Sequence, residues 1–199
     1  CYASEGSIFA SGSTIQWLRD GLGIIKNASD TNNVSTLAKD NGGVYFVPAF
    51  SGLGSPHWNP EAKSIIVGMT RGTTRSHIIR AALESTAYQV KDVIDKSLSF
   101  AASDFPLRVD GGQASNPFLM QFQADIIDRP VEISKTTEAT ALGAALIAGK
   151  HVGIWETEKQ MESINKPIVR YEPQMKKSQR ISLYSGWKDA VKRCCMPSY

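Results

Sequence analysis

The chain is poor in the residues that cross-link small proteins or bind metals. Its 199 residues include only three cysteines, Cys1, Cys194 and Cys195, and this number at this spacing supplies neither a disulfide framework nor a set of metal ligands. The three histidines are too scattered along the sequence to predict a zinc site. We therefore assign no metal ligand in this chain and expect a reducing compartment, which predicts a cytoplasmic protein.

A large charge of one sign and long apolar runs are also lacking. Lys and Arg number 22 against 19 Asp and Glu, and a formal net charge of +3 is too small to predict binding to nucleic acid. No apolar run reaches the roughly 18 residues of a membrane span. Residues 1–5 do not have the pattern of a signal peptide. We expect no stable membrane insertion, and small molecules and proteins as partners.

Strand and helix patterns alternate along the chain, which predicts the α/β class with at least part of the sheet parallel and covered on both faces. Apolar residues recur every three or four positions from Ile79 to Leu98, which indicates one long helix over 76–97. The other predicted helices cover 11–18, 34–39, 138–149 and 176–194, and one more begins at Pro117. The predicted strands cover 1–9, 44–50, 64–69, 107–109 and 130–133.

Several local expectations accompany these elements. The polar stretch 27–33 is interpreted as a surface connection, and 51–63 as a loop, because turn-forming residues are concentrated there. The apolar run 64–69 is expected to be a buried strand, and Gly149 is expected to cap the end of its helix. At 42% hydrophobic residues the chain predicts one compact unit over 1–199. Because it begins without methionine in a strand-like stretch, we interpret it as a piece of a longer protein.

The most informative feature is the segment 107–122, which has the pattern of a strand, a glycine turn and a helix. Gly111 and Gly112 let the backbone turn sharply and approach a ligand, because no Cβ is in the way. Asn116 is expected to cap the helix, with Pro117 at its first position. Unpaired N–H groups at such a helix start suit a nucleotide. Taken alone, the motif fits an ordinary tight turn equally well.

Three stretches together resemble one known family. Residues 64–69, followed by seven residues and then by 77–84, resemble the signature of the FGGY carbohydrate kinases. The turn at 109–115 resembles the adenosine motif, and 140–145 the connecting-helix motif, of the wider superfamily of actin, hexokinase and chaperone ATPases. The resemblance implies a ribonuclease H-like (actin-like ATPase) domain with a mixed sheet flanked by helices. It also implies that this is the C-terminal FGGY domain, without the N-terminal substrate domain.

Within that family, phrases from about residue 2 to residue 193 resemble the glycerol kinases most, including 5–9, 15–20, 43–50 and 118–123. The resemblance implies transfer of the γ-phosphoryl group of ATP to glycerol, with ATP/ADP and Mg²⁺ as cofactors. Two alternatives stay open: another FGGY kinase acting on xylulose, ribulose or gluconate, and a non-catalytic nucleotide-binding module. Since a missing partner domain would expose apolar surface, we also expect a homo-oligomer.

The resemblance places the nucleotide contacts at four residues: Gly12, Gln16, Gly112 and Asn116. Four positions separate Gly12 from Gln16, so the two share one face of the first helix. No catalytic residue is assigned, because the resemblance places the catalytic base upstream of Cys1, and the chain alone is expected to be inactive. The other carboxylates considered, Asp110 and Glu84, are interpreted as structural.

Overall fold

A computed structural model of the protein describes residues 5–97, 105–164 and 166–196. The helices are α1 Gly12–Asp20, α2 Val34–Leu37, α3 Arg75–Lys96, α4 Pro117–Ile127, α5 Ala139–His151, α6 Glu158–Ile164 and α7 Lys177–Cys194. Two 3₁₀ helices supplement them, the first at Ala28–Asn33 and the second at Gly112–Ser115. The strands are β1 Tyr45–Val47, β2 Ile65–Val67, β3 Leu107–Val109, β4 Val131–Ile133 and β5 Val169–Tyr171.

The strands form two sheets within the described residues. β1 and β2 pair antiparallel, with Phe46 opposite Ile66. β4 lies in the centre of the other sheet, parallel to β3 on one side and antiparallel to β5 on the other. The predicted mixed sheet flanked by helices is therefore confirmed, and its parallel pair carries the glycine turn at the end of β3.

The long helix α3 organises the core, and its predicted range of 76–97 is confirmed to within one residue at each end. It follows Thr74, whose backbone N–H donates to Nδ1 of His77 at 3.0 Å. Its first half packs with α1 and β1 in a cluster that contains Leu18, Phe46 and Leu83. Its second half packs with α4 and α7 in another cluster, where the ring of Tyr88 stacks on Trp187 at 5.2 Å. The helix thus joins both halves of the interior.

Buried carboxylates of α3 connect it to other parts of the chain. Glu84 is 1% exposed, accepts from Nε of Arg80 at 2.7 Å and accepts from Nδ2 of Asn41 at 3.2 Å. Arg80 also donates to the backbone oxygen of Ala38 at 2.7 Å. Burial, only partly offset by Arg80, raises the pKa of Glu84 to about 7. These contacts hold the segment before β1 against α3, which gives Glu84 a structural role.

A second buried carboxylate, Asp92, fastens α7 to α3. Its Oδ1 accepts from the hydroxyl of Tyr184 at 2.6 Å, and its Oδ2 accepts from Nε1 of Trp187 at 2.8 Å. A ring nitrogen of His57 lies 3.2 Å from the same Oδ2. Because buried polar groups need partners, this carboxylate fixes the position of the C-terminal helix on the core.

Several expectations about the first half of the chain are wrong. Residues 5–9 form no strand, because Ser7 pairs instead with a loop, accepting from the N–H of Ser55 at 2.8 Å; residues 1–4 lie outside the described range. Of the buried strand predicted at 64–69, only Ile65–Val67 (β2) is a strand, and it is half-buried because its sheet contains just β1 and β2. The strand predicted at 44–50 shrinks to β1.

In the second half, the helix expected to end at Gly149 continues to His151. The glycine is there for another reason: a Cβ at Gly149 would lie 1.8 Å from the ring of Trp155, so only glycine lets the two approach. The structure also contains α6 and β5, which were not predicted.

In the first half of the chain, the stretch 27–33 is more than a surface connection, because it forms the first 3₁₀ helix and buries Thr31.

Candidate functional site

A cavity of about 430 Å³ lies between α1, the two 3₁₀ helices and the start of α4. Parts of the chain that are about 100 residues apart in sequence meet there. The lining residues are Gly12, Ile15, Gln16, Arg19, Ala28, Ser29, Thr31, Asn32, Leu83, Gly112, Gln113, Ser115, Asn116 and Leu119. Its volume is within the usual range of small-molecule sites, and apolar groups and polar groups both line it.

The glycine turn forms one side of the cavity. After β3 the backbone reverses at Gly111, whose φ of +86° is the left-handed conformation that favours glycine. Gly112 opens the second 3₁₀ helix, and a Cβ built on it meets nothing within 4 Å. Gly112 thus lines the cavity without a side chain, and a ligand can approach its backbone closely.

The start of α1 forms a second side. A Cβ built on Gly12 also meets nothing within 4 Å, and Gln16 lines the cavity one turn later. The hydroxyl of Ser11 donates to Oε1 of Gln113, which connects the start of α1 to the second 3₁₀ helix. Nε2 of Gln113 is buried without a hydrogen-bond partner in the described structure, so an unused donor remains beside the cavity.

The first 3₁₀ helix forms the third side and is held firmly. Asp30 accepts from the backbone N–H groups of Lys26 at 2.8 Å and Asn27 at 2.9 Å. These N–H groups, Asn27 first, hold the pKa of the Asp30 carboxyl below its usual range. The hydroxyl of Thr31 donates to the backbone oxygen of Ala28 at 2.6 Å. This wall was missed from the sequence, although Asn27 followed three residues later by Asp30 is a helix-start signal.

Asn116 connects two sides of the cavity. Its Oδ1 accepts from the N–H of Leu119 at 3.0 Å, which confirms the predicted helix cap. Its Nδ2 donates to the hydroxyl of Thr31 at 3.1 Å. The side chain is only 6% exposed. Of the two roles considered for this amide, it performs the cap, and it also fixes the distance between the glycine turn and the first 3₁₀ helix.

The four residues placed by resemblance, Gly12, Gln16, Gly112 and Asn116, thus all line the same cavity. Their roles as nucleotide contacts remain predictions. The other lining residues were not predicted. The two carboxylates considered earlier do not line it: Glu84 is buried in its ion pair, and Asp110 lines a separate cavity of about 140 Å³.

Within 5–97, 105–164 and 166–196, no cluster of three or more His, Cys, Asp or Glu has the arrangement of a metal site. In the same ranges, none of the helices has the length and apolar character needed to span a membrane. No carboxylate is among the described residues that line the 430 Å³ cavity.

The chain is similar in sequence to a known family of kinases. The FGGY family of carbohydrate kinases, C-terminal domain, matches residues 1–151. Glycerol kinase 2 of Thermotoga maritima is 53% identical over 195 residues, covering 96% of this chain and 39% of that protein. Glycerol kinase of Shewanella putrefaciens is 50% identical over 193 residues, again with 96% and 39% coverage. The chain therefore spans about two fifths of the length of these relatives.

Solved structures of kinases from this family are also similar to this chain. The crystal structure of Plasmodium falciparum glycerol kinase with ADP superposes with a TM-score of 0.87 at 36% identity, covering 96% of this chain and 38% of that one. The xylulose kinase of Lactobacillus acidophilus has a TM-score of 0.78 at 20% identity, covering 98% and 40%, and indicates the fold alone. The predicted actin-like ATPase fold is confirmed, and the chain belongs to the FGGY family of carbohydrate kinases.

Proposed function

We propose that residues 1–199 form the C-terminal, nucleotide-binding half of a glycerol kinase, which transfers the γ-phosphoryl group of ATP to glycerol and yields glycerol 3-phosphate. One observation carries the proposal: Gly12 and Gln16 of α1 and Gly112 and Asn116 of the glycine turn line one cavity, although about 100 residues separate the two pairs. Relatives of 50% identity and more are glycerol kinases, which supports the choice of substrate class.

The cavity has the groups that a nucleotide needs. At Gly12 and Gly112 the backbone is bare, so sugar and phosphate can lie against it. Gln16 offers an amide with a donor and an acceptor. Mg²⁺ is commonly held by one or two carboxylates and by substrate phosphates rather than by a cage of protein ligands. Because no carboxylate is among the described residues that line the cavity, in this proposal the nucleotide phosphates and the part of the relatives that this chain does not span would hold the Mg²⁺.

The chemical step needs more than this cavity provides. Phosphoryl transfer requires an oriented hydroxyl and usually a carboxylate that accepts its proton. Among the described residues that line the cavity there is no carboxylate. The base and the glycerol site therefore belong, in this proposal, to the part of the relatives that this chain does not span. A cytoplasmic location and a homo-oligomer are part of the same proposal.

A calorimetric titration of the 199-residue chain with ADP tests the nucleotide site. Gly112→Val should reduce ADP affinity at least tenfold, because its side chain would occupy open space in the cavity. Gly143→Val in α5 is the matched control, since a Cβ there also meets nothing within 4 Å but Gly143 does not line the cavity. Undetectable ADP binding, or equal affinity in wild type and Gly112→Val, would contradict the proposal.

The choice of glycerol needs the longer protein. A protein in which this chain is preceded by the part of its relatives that it does not span should phosphorylate glycerol in preference to xylulose, ribulose and gluconate. A preference for one of those sugars would select the alternative FGGY kinase. Nucleotide binding without turnover of any of the four would instead select the non-catalytic module.

A further inference from the structure

The wall opposite the glycine turn carries polar groups that nothing else in the described structure uses. Ser29 and Asn32 of the first 3₁₀ helix line the cavity, and neither side chain has a hydrogen-bond partner in the described ranges. Ala28, the first residue of this helix, also lines the cavity and contributes only a methyl group. An apolar contact with polar groups beside it suits a heterocyclic base.

This wall is rigid enough to discriminate between ligands. Asp30 fastens its first turn through two backbone N–H groups, and Thr31 fastens its second through the amide of Asn116. Because Asn116 also caps α4, the position of Asn32 is set relative to the glycine turn. Side chains on such a fixed element can select a ligand by hydrogen-bond pattern.

A guanidinium plane completes this end of the cavity. Arg19 lines it, and its Nε and Nη2 are held by the carboxylate of the adjacent Asp20 at 2.7 and 2.8 Å. Asp20 pairs with the edge of the guanidinium, and the faces of arginine side chains can stack on aromatic rings. The bare glycines at the other end leave room for sugar and phosphate.

We propose that Asn32 is a specificity-determining residue that selects adenine over guanine; the proposal rests on the nucleotide-binding function given above. An Asn amide donates one hydrogen bond and accepts another, which matches N7 and the amino group of adenine. Guanine presents two acceptors, N7 and O6, on the corresponding edge, so the acceptor of the amide would face a second acceptor.

Calorimetric titration of the chain with ADP and with GDP tests the proposal. The wild-type chain should bind ADP at least about fivefold more tightly than GDP, the lower bound for one paired base contact. Asn32→Ala should bring the ratio of the two dissociation constants close to one. Asn32→Asp should weaken binding of both nucleotides, because a carboxylate cannot donate to N7, but ADP should stay the tighter ligand since the carboxylate can still accept from the amino group of adenine.

Asn33→Asp is the matched control, because it adds the same charge one residue away, on an exposed residue that does not line the cavity. It should keep the wild-type ratio. If all four proteins show the same ADP-to-GDP ratio, Asn32 does not read the base and the inference is wrong while the nucleotide site stands. If the chain binds neither nucleotide, the proposed function itself fails, and this inference with it.

Discussion

Two regions of this chain differ in how their residues are held. In the cavity region, made of α1, the first 3₁₀ helix, α3 and α4, apolar side chains are buried, and contacts such as Thr31 with Asn116 join distant parts of the chain. In the outer region, residues 139–171, α5 buries Gly149 alone and α6 buries no residue. Ile147, Val152, Ile154 and Ile168 are 74%, 70%, 66% and 60% exposed.

The difference separates two kinds of recognition. A small-molecule site needs side chains fixed in place, and the cavity region supplies them through contacts such as Thr31 with Asn116. Several exposed apolar residues within one region instead favour a surface that contacts protein. We infer that the cavity region takes the nucleotide and that the outer region is covered by protein, for which a second copy of this chain is the candidate when the chain is alone.

The largest expected effect tests this difference in packing directly. Leu83→Ala, in the cavity region, removes a side chain that is 1% exposed and should reduce the free energy of unfolding by about 3–5 kcal/mol. Ile147→Ala, in α5, removes a side chain of the same size that is 74% exposed and should change it by less than about 0.5 kcal/mol. Urea unfolding of both variants measures this. Similar losses would show that the outer region is packed as tightly as the core.

A pH titration examines the buried charge of the cavity region. The folded-state pKa of Glu84 is raised to about 7 from 4.5, so between these values the folded protein binds more protons than the unfolded one. The contribution of Glu84 to stability is therefore full below pH 4.5 and is lost as pH rises through 7. It should fall by about 2 kcal/mol between pH 5 and 7.

Urea unfolding of wild type and Glu84→Gln at several pH values isolates this group. The variant has nothing to titrate at this position and keeps an acceptor for Arg80, so its stability should fall less over the same interval. No ionisable residue in the outer region has a side chain buried as deeply as Glu84, among those the structure describes. Parallel pH curves for the two proteins would mean that Glu84 is ionised throughout.

Sequence reasoning found the elements whose signals are local. The stripe from Ile79 onward placed α3, because every residue needed for the pattern lies within one helix. Gly111 and Asn116 placed the glycine turn and its cap for the same reason, since a positive φ and a capping side chain are properties of single positions. The resemblance then brought Gly12 and Gln16 to the same cavity, which no local pattern could have done.

Elements that depend on distant partners were missed. β5 is a strand because Ile133 and Val169 pair across about 35 residues, and its own residues are largely exposed. The expected strand at 5–9 lacks a sheet partner in the described structure and pairs with the loop at Ser55. The polar composition of 27–33 predicts a surface connection and gives no sign of the burial of Thr31, whose hydroxyl accepts from the distant Asn116.

The exposed face of the outer region gives the next prediction. The chain alone should self-associate at micromolar concentration, and Ile147→Lys combined with Ile154→Lys should weaken association at least tenfold, about 1.4 kcal/mol. Sedimentation velocity over a concentration series measures this. Lys substitution of Leu37, which is 62% exposed outside this region, is the control for added charge. A chain that stays monomeric at all concentrations would leave the outer face without the partner inferred for it.

The smallest effect concerns the amide that joins two walls of the cavity. Asn116→Ala loses the cap of α4 and should reduce stability by about 1 kcal/mol. Asn116→Asp keeps an acceptor for the N–H of Leu119 but cannot donate to Thr31, so it should be the more stable of the two while both bind ADP less tightly. Thermal unfolding and calorimetry with ADP separate the two functions of this side chain. If Asn116→Asp binds ADP as wild type does, the bond to Thr31 does not position the wall, and rigidity would no longer distinguish the cavity region from the outer one.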